Sequence, residues 1–149
     1  MRILFVCSAN TCRSPMAEAL FKEQAKYQNI EVRSAGVSAL NGDPILSYVQ
    51  SILEERGINY SHQSQRINAE LMEWANLVLT MTKTQKYILL AMFPEIGKQI
   101  FTLKEFVGEK ENPDINNPKG SDLSSYRQCA EEITRSLDRL LEKLEHIAL

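Results

Sequence analysis

The chain has 149 residues, a formal net charge of −2, 44% hydrophobic residues and 24% charged residues. This length and composition are those of an ordinary globular protein, so we expect a single domain over residues 1–149. A disordered chain, a collagen-like chain and a polybasic nucleic-acid binder are excluded.

Strand-like and helix-like segments alternate along the whole chain. Short apolar runs predict strands, and apolar residues spaced three or four apart predict helices. Ser14 and Pro15 mark a helix start, the first as a cap and the second as a first-turn proline. In chain order the predicted elements are a strand at Arg2–Cys7, a helix over 15–27, a strand over 30–35, a helix from Asp43 to Gly57, a helix over 68–75, a strand over 77–81, a helix at Lys83–Met92, a strand over 99–103 and a long helix from Leu123.

This alternation predicts an α/β fold with right-handed βαβ units and a parallel sheet covered by helices on both faces. Ligands of such folds bind at the carboxyl ends of the strands, beside helix N-termini. Two segments therefore become candidate site elements. One is the turn after Cys7, and the other is the loop 108–120, which has two prolines and no apolar period.

The cysteine and histidine content limits the chemistry. Three cysteines, an odd number at low density, argue against a secreted disulfide scaffold. The two histidines, His62 and His146, are too far apart in sequence for a multi-histidine metal centre, and they disfavour a Cys–His pair. The apolar start at residues 3–6 is too short for a signal peptide or a membrane span. We expect a cytoplasmic protein with free thiols and with no nucleic-acid or membrane partner.

The turn between the first strand and the first helix carries Cys7 and Arg13. Backbone N–H groups and the helix dipole favour an oxyanion there, and the same field favours the thiolate form of a cysteine without imidazole. Arg13 can hold two oxygens of a tetrahedral anion, Ser14 can donate to the thiolate, and Asn10 can tie the loop to neighbouring backbone. A bare C-x₅-R spacing also fits a buried structural cysteine followed by an exposed arginine, so both interpretations stay open on spacing alone.

The fuller string Val6-Cys7-x-x-Asn10-x-Cys12-Arg13-Ser14-Pro15 resembles the signature of the low-molecular-weight protein tyrosine phosphatase family. Further segments resemble the family in the same order, namely residues 16–19, 33–36, 77–82, 101–105 and 126–127. The resemblance implies a four-stranded parallel sheet and a phosphate-binding loop between strand 1 and helix 1. It implies that Cys7 attacks phosphorus, that Arg13 stabilises the transition state, and that water hydrolyses the cysteinyl-phosphate.

The family resemblance also supplies expectations about ligands. The substrate-binding residues it implies are Ser8, Ala9, Asn10, Thr11, Cys12 and Ser14. The implied partners are a phosphorylated protein and inorganic phosphate or a similar oxyanion in the loop, with no metal or other cofactor. A reversible Cys7–Cys12 disulfide is a further implication, although Cys12 packing beneath the loop is an alternative.

Thr11 lies where the tyrosine-directed enzymes of the family usually carry a bulky aliphatic residue. A threonine there resembles the bacterial protein-arginine-phosphatase branch. A smaller β-branched hydroxyl residue changes the pocket floor and favours a guanidinium leaving group over a phenol. Thr11 as a merely tolerated loop residue is the alternative, so phosphoarginine and phosphotyrosine both stay open.

The chain departs from the family at the general acid. The family carries an Asp-Pro-aromatic-Gly element about nine residues before the tyrosine of the last helix, and that count from Tyr126 ends on Asn117. An amide cannot donate a proton as an acid does, and general acid catalysis is typically worth about 10²- to 10⁴-fold. The next residues are Pro118, Lys119 and Gly120. Lys119 therefore places a positive charge where the family has an aromatic wall, which should weaken docking of phosphotyrosine and of a guanidinium alike and suits an acidic or anionic substrate flank instead.

Several interpretations of Asn117 are open. In one, Asp114 serves as the acid instead, although its shift of three residues should misplace it. If Asp114 does not serve, three alternatives remain. The protein is an impaired or specialised phosphatase, a non-catalytic binder of phosphoproteins or oxyanions, or a chain with a substitution that traps substrate. We favour the first of these. An arsenate reductase is disfavoured, because that class relays oxidation to mid-chain cysteines and none lies between Arg13 and Gln128. Ala9, where the family usually has glycine, is strained only if its φ is positive.

Overall fold

A four-stranded parallel sheet forms the centre of the computed structural model, which describes residues 1–96, 99–118 and 122–147. The strands are β1 (Arg2–Cys7), β2 (Glu31–Gly36), β3 (Leu77–Thr80) and β4 (Gln99–Thr102), and they lie in the order β2-β1-β3-β4. Every neighbouring pair is parallel. The register places Cys7 opposite Gly36 and Val6 opposite Thr80, so the ends of three strands meet beside the nucleophile candidate.

Helices cover both faces of the sheet, as the alternation predicted. They are α1 (Arg13–Gln24), α2 (Ser47–Glu55), α3 (Ala69–Trp74), α4 (Lys83–Met92), α5 (Leu103–Phe106) and α6 (Leu123–Ile147). Alternate residues of β1 belong to two separate cores, with Ile3 and Phe5 in one and Leu4 and Val6 in the other. Within the described ranges, no helix has the length and apolarity needed to cross a membrane.

The first helix begins earlier than predicted, at Arg13 rather than Pro15. Cys12 is the capping residue, and its carbonyl accepts the N–H of Met16 at 3.0 Å. A proline is tolerated in this turn because the first N–H groups of a helix have no intrahelical acceptor. The predicted cap, Ser14, is instead the second residue of the helix, so its hydroxyl is available to the site.

The predicted helix start at Asp43 is also wrong, because α2 begins only at Ser47. Residues 43–46 are extended: Pro44 forms an isolated antiparallel bridge with Gln63, and the N–H of Leu46 donates to the carbonyl of Thr11 at 3.0 Å. This tertiary pairing overrides the local helix signal and brings Leu46 to the turn after β1.

The short helix α5 was missed, and residue 103, predicted as strand, belongs to it. Thr102 and Glu105 form a capping box, a pattern visible in the sequence as Thr-x-x-Glu. The other predicted elements are present with small shifts at their ends.

Candidate active site

The turn after β1, residues 8–12, is called the anion loop below. Asn10 adopts a left-handed backbone with φ of 58°, and it is the one described non-glycine residue with positive φ. Asparagine tolerates this region better than most residues. Ala9, which stands where the family usually has glycine, does not have a positive φ. It therefore carries no backbone strain of the kind that the sequence left open. Among the described residues, the N–H groups of Ala9, Thr11 and Cys12 have no protein acceptor, which leaves them available to an anion.

Cys7 ends β1 and lies beside Ser14, with 2.8 Å between the sulfur and the hydroxyl oxygen. Asn10 Nδ2 donates to the same hydroxyl at 2.8 Å. Because an amide nitrogen only donates, Ser14 must accept from Asn10, and its own hydrogen is free for the sulfur of Cys7. The carbonyl of Ala35, at 3.4 Å, is a longer and weaker alternative acceptor.

The side chain of Asn10 is held by a second layer of buried polar groups. Its Nδ2 also donates to Ser34 at 3.0 Å, and Ser34 donates to a carboxylate oxygen of Glu18 at 2.6 Å. Asn10 is fully buried, while Ser34 and Glu18 are 1% and 8% exposed. A buried network that satisfies its members in this way fixes one loop conformation.

The segment before α3 holds the other side of Asn10. Its carbonyl accepts from Ser64 at 2.6 Å and lies 2.8 Å from His62 Nε2, while its Oδ1 accepts the N–H of Gln65 at 3.0 Å. His62 thus contacts the backbone of the anion loop rather than Cys7. Sequence reasoning missed these residues, because they lie more than 50 positions away in a segment without a recognisable motif.

Arg13 is buried, with 4% of its surface exposed. Its Nη1 donates to the carbonyl of Ile115 at 2.9 Å, and the N–H of Ile115 donates to Met81 at 2.7 Å. The guanidinium is therefore locked against the loop that follows α5. Its Nε has no partner among the described residues, which leaves a buried donor ready for an oxyanion.

A cleft of about 300 Å³ opens over the anion loop. Its lining residues are Cys7, Ser8, Ala9, Thr11, Cys12, Arg13, Leu46, Asn117, Pro118 and Tyr126. The structure brings together most of the predicted site residues here. Asn10 and Ser14 are fully buried and outside the cleft lining, where their side chains support the loop, and Lys119 lies outside the described residues.

Asn117 lines this cleft and is exposed, so an amide occupies the position expected for the acid. Asp114 does not take its place. It is outside the cleft lining, and its Oδ1 accepts the N–H of Lys83 at 2.8 Å at the start of α4. Because this hydrogen bond holds Asp114 at the start of α4, the described residues that line the cleft include no carboxylate.

All three cysteines are free thiols in the structure. Burial, with Cys129 and Cys7 nearby, raises the pKa of Cys12 to about 12. Burial also raises the pKa of Cys129 to about 11, and Glu132 adds to the effect. Both residues are protonated at neutral pH. The Cys7–Cys12 disulfide stays a prediction.

Comparison with known proteins gives consistent matches along the chain. Residues 2–148 match the family model of low molecular weight phosphotyrosine protein phosphatases. A protein-arginine-phosphatase of Geobacillus stearothermophilus is 42% identical over 144 residues, covering 97% of this chain and 96% of the relative. A low molecular weight protein-tyrosine-phosphatase of Staphylococcus aureus, PtpB, is 34% identical over 140 residues, covering 94% and 96%.

Solved structures agree with these matches. The YwlE arginine phosphatase of Geobacillus stearothermophilus superposes with a TM-score of 0.91 at 41% identity, covering 97% of this chain and 93% of that one. A YwlE arginine phosphatase mutant with a phosphorylated active-site serine superposes with a TM-score of 0.92 at 40% identity, covering 97% and 96%.

Proposed function

Because this chain belongs to the low molecular weight phosphotyrosine protein phosphatase family, we propose that it is a protein-arginine phosphatase that works through a cysteinyl-phosphate. The observation that carries the proposal is the arrangement of Cys7, Ser14 and Arg13 around an anion loop with unoccupied donors. Membership makes it a cysteine-dependent protein phosphatase, for which phosphoproteins are the substrates. The three free thiols suit the cytoplasm as its compartment.

In the first step, the anion loop and Arg13 hold the phosphoryl group and the sulfur of Cys7 attacks phosphorus. An S–P bond forms while the P–N bond breaks, and its electron pair goes to the guanidine nitrogen. In the second step, water attacks phosphorus and the S–P bond breaks. The electron pair returns to the sulfur, where the hydrogen bond from Ser14 stabilises it, and inorganic phosphate leaves. The proposed binding residues are Ser8, Ala9, Asn10, Thr11, Cys12 and Ser14.

Asn117 supports phosphoarginine as the substrate. Phosphotyrosine departs as a phenolate, whose conjugate acid has a pKa of about 10, and this negative charge calls for a general acid. A phosphorylated guanidinium already carries a positive charge, so cleavage of its P–N bond releases a neutral guanidine. That guanidine then takes a proton from water, because a guanidinium has a pKa above about 12. An amide at position 117 should therefore slow the hydrolysis of phosphoarginine less than the hydrolysis of phosphotyrosine.

Thr11 adds a second line of support. It lines the cleft, and its carbonyl is fixed by the N–H of Leu46 at 3.0 Å. Its small branched side chain leaves more room at the pocket floor than a bulky aliphatic one. The 42% identical relative is named a protein-arginine-phosphatase, whereas the relative named a tyrosine phosphatase is 34% identical.

The test is to compare hydrolysis of two peptides of identical sequence, one with phosphoarginine and one with phosphotyrosine. We expect a higher kcat/KM for phosphoarginine and loss of both activities in Cys7→Ser. Asn117→Asp should raise the phosphotyrosine rate by about 10²- to 10⁴-fold and the phosphoarginine rate by less.

A faster reaction with phosphotyrosine would assign the chain to the tyrosine-directed enzymes. Binding of phosphate without turnover, in both the native chain and Asn117→Asp, would identify a phosphoprotein binder and overturn the proposal. Thr11→Ile fills the pocket floor and should shift the preference toward phosphotyrosine. Thr11→Val is its matched control, because it removes the hydroxyl at nearly constant volume.

A further inference from the structure

The buried side chain of Gln85 connects α4 to the anion loop. Gln85 is 3% exposed, and its Oε1 accepts the N–H groups of Met81 at 3.0 Å and Thr82 at 2.9 Å. These two backbone donors fix which end of the amide is oxygen. The nitrogen must then lie at the opposite end, and it donates to the hydroxyl of Ser8 at 3.1 Å.

The direction of this bond determines where the hydrogen of Ser8 can go. A hydroxyl has one hydrogen to donate, and an amide nitrogen is not an acceptor. Ser8 therefore accepts from Gln85 and keeps its own hydrogen for another partner. Among residues 1–96, 99–118 and 122–147, no acceptor takes that hydrogen, and Ser8 lines the cleft.

The backbone of Ser8 is held as firmly as its side chain. The N–H of Ser38 donates to the Ser8 carbonyl at 2.9 Å. Gly36 packs so closely that a Cβ there would come within 2.5 Å of that carbonyl oxygen. With its backbone and one lone pair of its hydroxyl fixed, Ser8 presents its hydrogen in a restricted direction at low entropic cost.

We propose that Gln85 is a positioning residue, which holds the Ser8 hydroxyl as a hydrogen-bond donor to the phosphoryl group in the cleft. The proposal rests on the proposed phosphatase function, and it deepens the account of how the site binds phosphate. The anion loop otherwise offers backbone N–H groups and the Arg13 guanidinium. Ser8 adds a neutral side-chain donor. Its direction is set by Gln85 of α4, which belongs to a different strand–helix unit from the anion loop.

The variant Gln85→Glu tests the direction of the bond with almost no change of shape. One carboxylate oxygen still accepts from Met81 and Thr82. The other also accepts only, so it takes the hydrogen of Ser8 away from the cleft. We expect the dissociation constant of inorganic phosphate, measured by calorimetry and as a competitive inhibition constant, to rise about ten-fold.

The new negative charge also repels phosphate, so a double-mutant cycle with Ser8→Ala separates the two effects. If Gln85 acts through the Ser8 hydrogen, Gln85→Glu should cause a clearly smaller loss once Ser8 is alanine, because only the charge repulsion then remains. An equal loss in both backgrounds would be electrostatic or structural and would overturn the proposal.

Ser8→Ala and Ser8→Thr keep the test decisive if Gln85→Glu does not fold. Ser8→Ala should weaken phosphate binding by about the same ten-fold, whereas Ser8→Thr keeps the hydroxyl and should bind nearly as the native chain does. Unchanged phosphate binding in Ser8→Ala would refute the donor role. Inorganic phosphate carries no leaving group, so its binding does not depend on which substrate the enzyme prefers. Failure of the Ser8 test would therefore leave the proposed phosphoarginine preference untouched. Likewise, a preference for phosphotyrosine would leave the Ser8 result standing.

Discussion

The hydroxyl oxygen of Ser14 lies 2.8 Å from the sulfur of Cys7, and it simultaneously accepts a hydrogen bond from Asn10. Because Asn10 donates to the Ser14 oxygen, the Ser14 hydrogen stays free, and toward a thiolate sulfur, which only accepts, Ser14 acts as the donor. A hydrogen bond to sulfur stabilises a thiolate more than a neutral thiol. Ser14 is therefore placed to assist the step in which Cys7 leaves phosphorus as a thiolate.

We expect Ser14→Ala to slow the breakdown of the cysteinyl-phosphate, because the departing sulfur loses its charge-assisted hydrogen bond. Such a bond is worth about 1.5 to 3 kcal/mol, which corresponds to a fall in kcat of about ten-fold or more. With an aryl phosphate of low leaving-group pKa, rapid-mixing kinetics should show a burst of phenol followed by a slower steady state. Ser136→Ala, a buried serine of α6, is the control and should keep the native kcat. An unchanged kcat in Ser14→Ala would contradict this role.

Gly36 is a second position on which the site depends, because the absence of a Cβ atom there leaves room for the anion loop. A Cβ at Gly36 would come within 2.5 Å of the Ser8 carbonyl and 2.9 Å of the Asn10 nitrogen, both in the anion loop. Gly36→Ala should therefore displace the loop, lower stability by about 1 to 3 kcal/mol and weaken phosphate binding. Urea denaturation and calorimetry with phosphate measure the two effects.

The control for this change is Gly108→Ala. Gly108 has a φ of +98° with open space around it, so alanine strains the backbone there without touching the loop. It should cost about 1 kcal/mol and leave phosphate affinity as in the native chain. Equal affinities in the two variants would mean that Gly36 matters only for stability.

The three thiols should differ sharply in reactivity. Burial raises the pKa of Cys12 to about 12 and that of Cys129 to about 11, so both stay protonated and unreactive at any pH well below 11. Cys7 lies in the cleft at a helix N-terminus. At pH 7 we expect iodoacetamide to modify Cys7 alone, phosphate to protect it, and denaturant to expose all three, as peptide mass spectrometry would detect. Labelling of Cys12 or Cys129 in the folded chain at a comparable rate would contradict this assignment.

Local patterns in the sequence predicted the sheet and the turn that carries Cys7 and Arg13, because strand periodicity and a strand–turn–helix motif are local signals. They did not predict the supports of that turn. His62, Ser64 and Gln65 reach Asn10 across more than 50 residues, and only tertiary packing brings them there. The extended segment at Asp43 was misassigned for the same reason, since its pairing partner at Gln63 is distant in sequence.

Acid lability should depend in part on Glu105 in the capping box of α5. Burial raises its pKa, but the hydrogen bond from Lys86 at 2.6 Å, the N–H of Thr102 and the charges of Lys86 and Lys83 outweigh burial, so the net pKa is lowered. A lowered folded-state pKa contributes stability above the unfolded value of about 4.3 and loses it as the pH falls through the folded value.

Glu105→Gln keeps the acceptor for the Thr102 N–H and removes the charge. It should destabilise the chain by about 1 to 2 kcal/mol at pH 7 and by clearly less at an acid pH below the lowered folded-state pKa of Glu105, where the native carboxyl is protonated too. Urea midpoints at the two pH values measure this difference. Glu23→Gln breaks an exposed pair with Lys26, and this control should change stability little at either pH, since exposed ion pairs contribute little. Equal destabilisation by Glu105→Gln at both pH values would mean that the loss does not come from the charge of Glu105, and it would contradict the contribution of the Lys86–Glu105 ion pair.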